Sequence, residues 1–140
     1  MKYLFVIFAL ILFGCGSESN PTGYEVTQPT PKTYTLKYAW TCSSQEPAPG
    51  GIWQYIYANI NYTVNDSVTV TTQDKRGDAT ITAIGGKKYT LKGTFDHDQV
   101  PDGRMWAMLQ IFVNGVEVAV YNSGVTSQPI SAEISYTVPK

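Results

Sequence analysis

Hydrophobic positions are spread along this chain in two different ways. Residues 3–13 form an unbroken apolar run of about 11 residues behind Lys2, and Gly14-Cys15 closes it. That run is well short of the roughly 20 residues a membrane-crossing helix needs, and its charged start and small-residue end are the layout of an export signal. From residue 34 onward the large apolar side chains instead fall on alternate positions, which is the period of a half-buried strand. Tyr34, Leu36, Tyr38 and Trp40 share one face, with Lys37 on the other.

The same period recurs to the end of the chain. Residues 52–64 predict one long strand, or two joined by a bend near Asn59. Trp53, Tyr55 and Tyr57 occupy one of its faces and Ile52, Ile56 and Ile60 the other, so both faces are apolar and the outer one is expected to be partly covered. Asn65-Asp66 predicts a turn into a strand over 68–72, and residues 73–78 a second turn. A short strand over 79–84, a tight turn at Gly85-Gly86 and an alternating strand through Tyr89, Leu91, Gly93 and Phe95 follow. Residues 96–104 read as a polar loop. Asn114-Gly115, which tolerates the positive φ of a type I′ turn, predicts a hairpin between 105–113 and 116–121. Ile130, Ala132, Ile134, Tyr136 and Val138 form the last alternating strand, with Ser131, Glu133, Ser135 and Thr137 outward. No segment has a helical period. The expectation is an all-β chain: an antiparallel β-sandwich of about seven to nine strands, immunoglobulin-like, with a partly open barrel as the alternative.

Composition supports that class. Aromatics make up 13% of the 140 residues, ten of them tyrosine, and good helix formers are few. Three units are expected: a signal over 1–14, Cys15 with a tether through 32, and one folded domain over 33–140. The tether holds Ser17, Ser19, Asn20, Pro21, Gly23, Pro29 and Pro31, which cannot offset the entropy of ordering by burying anything. With Lys2 removed, 9 basic residues face 11 acidic ones. No basic stripe suits nucleic acid.

Leu12-Phe13-Gly14-Cys15 resembles the lipobox of bacterial lipoproteins. The resemblance implies a diacylglycerol thioether on Cys15, cleavage after Gly14 and an acylated, palmitate-type N-terminus that anchors the chain to a membrane. At about 0.8 kcal/mol per buried methylene, several chains on one residue make a lasting anchor. Gly16 stands where an aspartate resembles an inner-membrane retention signal, so the expected address is the outer membrane of the cell envelope, on its periplasmic or surface face. A second resemblance rests on Gly86-Lys87-Lys88-Tyr89-Thr90-Leu91, on Leu109-Gln110-Ile111-Phe112-Val113-Asn114-Gly115-Val116-Glu117-Val118, and on the strand through Ile130 and Val138. These are similar to small secreted β-sandwich proteins of the MmpS type, which accompany large membrane transporters. That likeness implies a protein partner in the envelope.

Candidate chemistry is sparse. If Cys15 is acylated, Cys42 is the remaining thiol; it reads as small buried packing, with a bridge between chains as the alternative. Asp96, Asp98 and Asp102, with Gly103, could supply oxygen ligands to calcium. The glycine spacing and closing glutamate of an EF-hand are missing, so a turn-rich solvated loop is the expectation, with no metal and no cofactor. His97 has no nucleophile tied to it by sequence, and enzymatic work is not expected. Arg76-Gly77-Asp78 resembles an integrin-binding tripeptide but is also what a hairpin tip favours. Trp40, Trp53, Trp106 and the tyrosines could form a platform for sugars, with Trp53, Tyr55 and Tyr57 the candidate surface, although their spacing suits core burial as well. Two functions follow: a non-catalytic, lipid-anchored envelope protein acting through protein contacts as an accessory to a membrane transporter or envelope complex, or a small-ligand or glycan-binding module using an aromatic face.

Overall fold

The structure is a computed structural model that describes residues 29–44, 55–65, 68–97 and 104–140. Among the described residues there are eight strands: β1 (Thr33–Ser44), β2 (Ile56–Asn65), β3 (Val68–Thr72), β4 (Arg76–Ile84), β5 (Lys88–His97), β6 (Met105–Val113), β7 (Val116–Asn122) and β8 (Ile130–Thr137). They form two four-stranded antiparallel sheets, ordered β4-β1-β6-β7 and β3-β2-β5-β8, packed as a sandwich. The last two strands lie in different sheets, so the order is not the ABED-over-CFG arrangement of immunoglobulin domains.

Alternation decides which side chains enter the core. Leu36, Tyr38, Trp40 and Cys42 of β1 and Met105, Ala107, Leu109, Ile111 and Val113 of β6 face Ile56, Ala58 and Ile60 of β2 and Tyr89, Leu91 and Phe95 of β5. The large aromatics among them keep their polar tips satisfied, as burial requires. Tyr38 donates its hydroxyl to Thr63 O at 2.7 Å, linking the two sheets. Ile84 N–H donates to the Tyr89 hydroxyl at 2.8 Å, and Trp40 Nε1 donates to Asp74 O at 3.0 Å. Tyr62 packs between Tyr38 and Trp40, stacked on the indole at 5.9 Å.

The predicted hairpin is present with both strands close to their expected bounds. Asn114 (φ 49°) and Gly115 (φ 82°) take the two left-handed positions of a type I′ turn, and Asn114 Oδ1 accepts from Thr35 N–H.

Two expectations are corrected. Arg76-Gly77-Asp78 is no hairpin tip. It opens β4, with Gly77 paired to Trp40 and Asp78 to Ala39, and the turn occupies residues 73–75 alone. Arg76 Nε donates to Thr41 Oγ1 and Asp78 lies 3.6 Å from Lys37 Nζ, so both charges are engaged on the sheet. Gly77 is there because the indole lies across it: a Cβ at that position would sit 2.7 Å from Trp40 Cζ2. The second concerns β2: of the two forms expected it is the single strand, without a break at Asn59, but its outer face is exposed at Tyr57 and Asn59 rather than partly covered. The strand apolar on both faces is β6, with Trp106, Met108 and Phe112 partly buried on its outer side.

The domain has two distinct ends. At one, Lys32 Nζ reaches Lys140 O at 3.4 Å and Gly85 N–H donates to Lys32 O, so the chain enters and leaves side by side. The start of β2, the end of β5 and the start of β8 mark the other end, about 30 Å away at roughly 3.3 Å per residue along β5.

Candidate functional site

The outer face of the second sheet, at the end far from Lys32 and Lys140, is concave. Tyr55, Tyr57 and Asn59 project outward there because Ile56, Ala58 and Ile60 take the inward positions of the same strand. Tyr57 pairs across the strands with Asp96, and Asn59 with Thr94, which in turn pairs with Ser131. Pro129 and the connection through Gln73 and Lys75 raise the walls, and the groove encloses about 530 Å³.

Tyr55 and Tyr57 are 57% and 54% exposed, far more than the buried tyrosines of the core. Their rings meet at 5.0 Å with planes tilted by 58°. The Lys75 ammonium sits 4.3 Å above the Tyr55 ring, a cation–π contact. Asn59, which lines the groove, accepts at Oδ1 from Asn61 Nδ2 just beyond it, and Thr71 donates to Asn61 Oδ1, so the Asn59 amide is held in orientation. Asp96 Oδ1 accepts from His97 N–H at 2.8 Å, and His97 Nε2 donates to Ser127 O. Two aromatic rings, side-chain amides, hydroxyls and one charge of each sign can stack on a flat ring and bond its edge.

The connection that brings Gln73 and Lys75 to the groove is itself anchored in the core. Asp74 O accepts from the Trp40 indole, and Lys75 O accepts from Cys42 N–H at 2.8 Å. Thr72 Oγ1 donates to Asp74 Oδ2, closing the turn locally.

The structure separates the residues proposed from sequence. Tyr55 and Tyr57 are brought together and exposed, whereas Trp53 lies outside the described residues. Trp40 is buried and cannot belong to a platform, because it occupies an inward position of β1. Trp106 is on the opposite sheet. Asp96 is in β5, not a loop, and faces the groove; Asp98 and Asp102, like Cys15, lie outside the described residues. Among those described, no three His, Cys, Asp or Glu side chains come together as metal ligands. Cys42 is 6% exposed, and burial pushes its thiol up to about 11, with Lys75 pulling weakly the other way. Asn59, Thr94 and Ser131 were readable as outward positions of their strands. Gln73 and Lys75 were not, since a loop supplies them.

Compared with protein-family models, curated proteins and solved structures, the chain matches none.

Proposed function

We propose that this chain is a non-catalytic, lipid-anchored binding protein of the bacterial cell envelope whose Tyr55–Tyr57 groove takes a carbohydrate. One observation carries the reading: two neighbouring tyrosines stand more than half exposed in an open groove edged by amides, hydroxyls and a carboxylate. Sugars present flat C–H faces to aromatic rings and hydroxyl edges to planar polar groups, so this combination fits them. The lipobox-like Leu12–Cys15 segment supplies the anchor at Cys15. The position of Lys32 supports the geometry, since a tether entering there leaves the groove at the far end of the domain, directed away from the membrane.

A glycan array probed with the full chain in detergent tests this reading. Wild type is expected to bind a subset of glycans and Tyr55→Ala/Tyr57→Ala to bind none of them; equal binding by both proteins contradicts it.

A second reading, contact with an envelope protein such as a transporter subunit, is favoured by the outer face of β6. Trp106, Met108 and Phe112 lie there beside Val120, which is 53% exposed. Such a row suits a protein interface better than open water. Capture from native membranes, with Cys15→Ala as the unanchored control, separates this reading from the first: loss of the captured partner on Phe112→Ser would support the interface.

A further inference from the structure

The groove has a charge that stacking alone does not require. Lys75 lies in the short connection between β3 and β4, at the wall of the groove, with its ammonium 4.3 Å from the centre of the Tyr55 ring. Among the described residues no carboxylate lies within ion-pair distance of it, whereas Lys37, on the other sheet, has Asp78 at 3.6 Å. An ammonium carries three donors, and a ring face engages only the side turned toward it. Lys75 is part of the groove lining, so its remaining donors are within reach of a ligand held there. Asp96 stands on a different strand, beside Tyr57, with one oxygen committed to the His97 N–H. Its charge suits ring hydroxyls, which donate, and disfavours an anion on that side.

Resting on the carbohydrate reading above, we propose that the ligand is an acidic sugar whose carboxylate pairs with Lys75 while a neighbouring ring stacks on Tyr57. The dimensions agree. Lys75 Nζ is 4.3 Å from the Tyr55 centroid and that centroid is 5.0 Å from the Tyr57 centroid, a span that one or two sugar rings cover. Lys75 also has a fixed origin, because Asp74 O and Lys75 O are both hydrogen-bonded to β1. The cation is therefore presented from a supported backbone, and only its side chain has to adjust.

The test titrates the full chain with oligomers of galacturonic, glucuronic and mannuronic acid, and with each oligomer after reduction of its carboxyl groups to the neutral sugar. Expected is at least one acidic oligomer bound about tenfold more tightly than its reduced form, as one charge-assisted contact provides. Raising the salt concentration should shrink that preference, Lys75→Gln should abolish it, and Lys75→Arg should retain it. Equal binding of acidic and reduced forms, or a preference that survives Lys75→Gln, overturns the assignment to Lys75 and leaves the carbohydrate reading standing. If neither form of any oligomer binds, while the glycan array is also blank, the carbohydrate reading itself falls.

Discussion

Replacing Gly77 with alanine tests the packing that holds the groove wall in place. Its Cβ would lie 2.7 Å from Trp40 Cζ2 and 3.0 Å from Cε2. Ordinary contact requires the indole to retreat by roughly 0.7 Å. The indole is 5% exposed, stacked on Tyr62 and bonded through Nε1 to Asp74 O, so it has little room to do so. Overpacking of this kind costs about 1–3 kcal/mol, and weakening the indole hydrogen bond adds about 1 kcal/mol. Restricting the unfolded chain returns about 0.4–1 kcal/mol. The net expectation is a loss of about 2 kcal/mol, or a fall in Tm of about 10 °C for a domain of this size. Urea and thermal unfolding followed by circular dichroism would measure it. Adding Trp40→Leu to Gly77→Ala should recover part of the loss relative to the sum of the two single changes, since the clash is then removed. A Gly77→Ala protein as stable as wild type, or additive behaviour of the pair, would refute this packing account.

Tyr38→Phe removes the hydroxyl that donates to Thr63 O and leaves a partly buried carbonyl short of a partner; a loss of about 1–2 kcal/mol is expected in urea unfolding, and no loss would mean that water replaces the bond. The Cys42 thiol should react with an aromatic disulfide reagent far more slowly in the native protein than in urea, and fast native labelling would show that the site is open. Because folding raises that thiol to about 11 from an ordinary value near 9, its contribution to stability is complete below pH about 9 and disappears as the pH rises through about 11. Wild type should therefore lose more stability than Cys42→Ala over that window, and parallel pH profiles would contradict the shift. Acrylamide should quench the Trp106 signal much more than that of Trp40, resolved with single-tryptophan variants, and equal quenching would contradict the assigned burial.

Much of the fold was legible because side-chain alternation and turn chemistry agree along most of the chain. The hairpin at Asn114-Gly115 needed only the positive-φ tolerance of those two residues, and β6 then matched its expected bounds. Arg76-Gly77-Asp78 misled because glycine and aspartate are common in turns; the demand that placed Gly77 in a strand is the bulk of Trp40, which lies far away in sequence. The outer face of β2 was expected to be partly covered because its aromatic residues resemble a buried row. Tyr55 and Tyr57 are instead more than half exposed, so this part of the row is surface. Alternation alone cannot tell a strand face that meets a second sheet from one that meets solvent. Half of the site was therefore available as the pair Tyr55 and Tyr57. The other half depends on register, which sets Asp96 beside Tyr57, and on a loop held by the Trp40 indole, which brings Lys75 across.

The most direct test of the central claim is affinity electrophoresis of the full chain through gels containing bacterial and plant polysaccharides. Wild type should be retarded by at least one acidic polysaccharide, and Tyr55→Ala/Tyr57→Ala should run as in a gel without sugar while keeping the wild-type circular dichroism spectrum. Free migration of wild type in every gel, or equal retardation of the double variant, would contradict the assignment of the groove as a carbohydrate site.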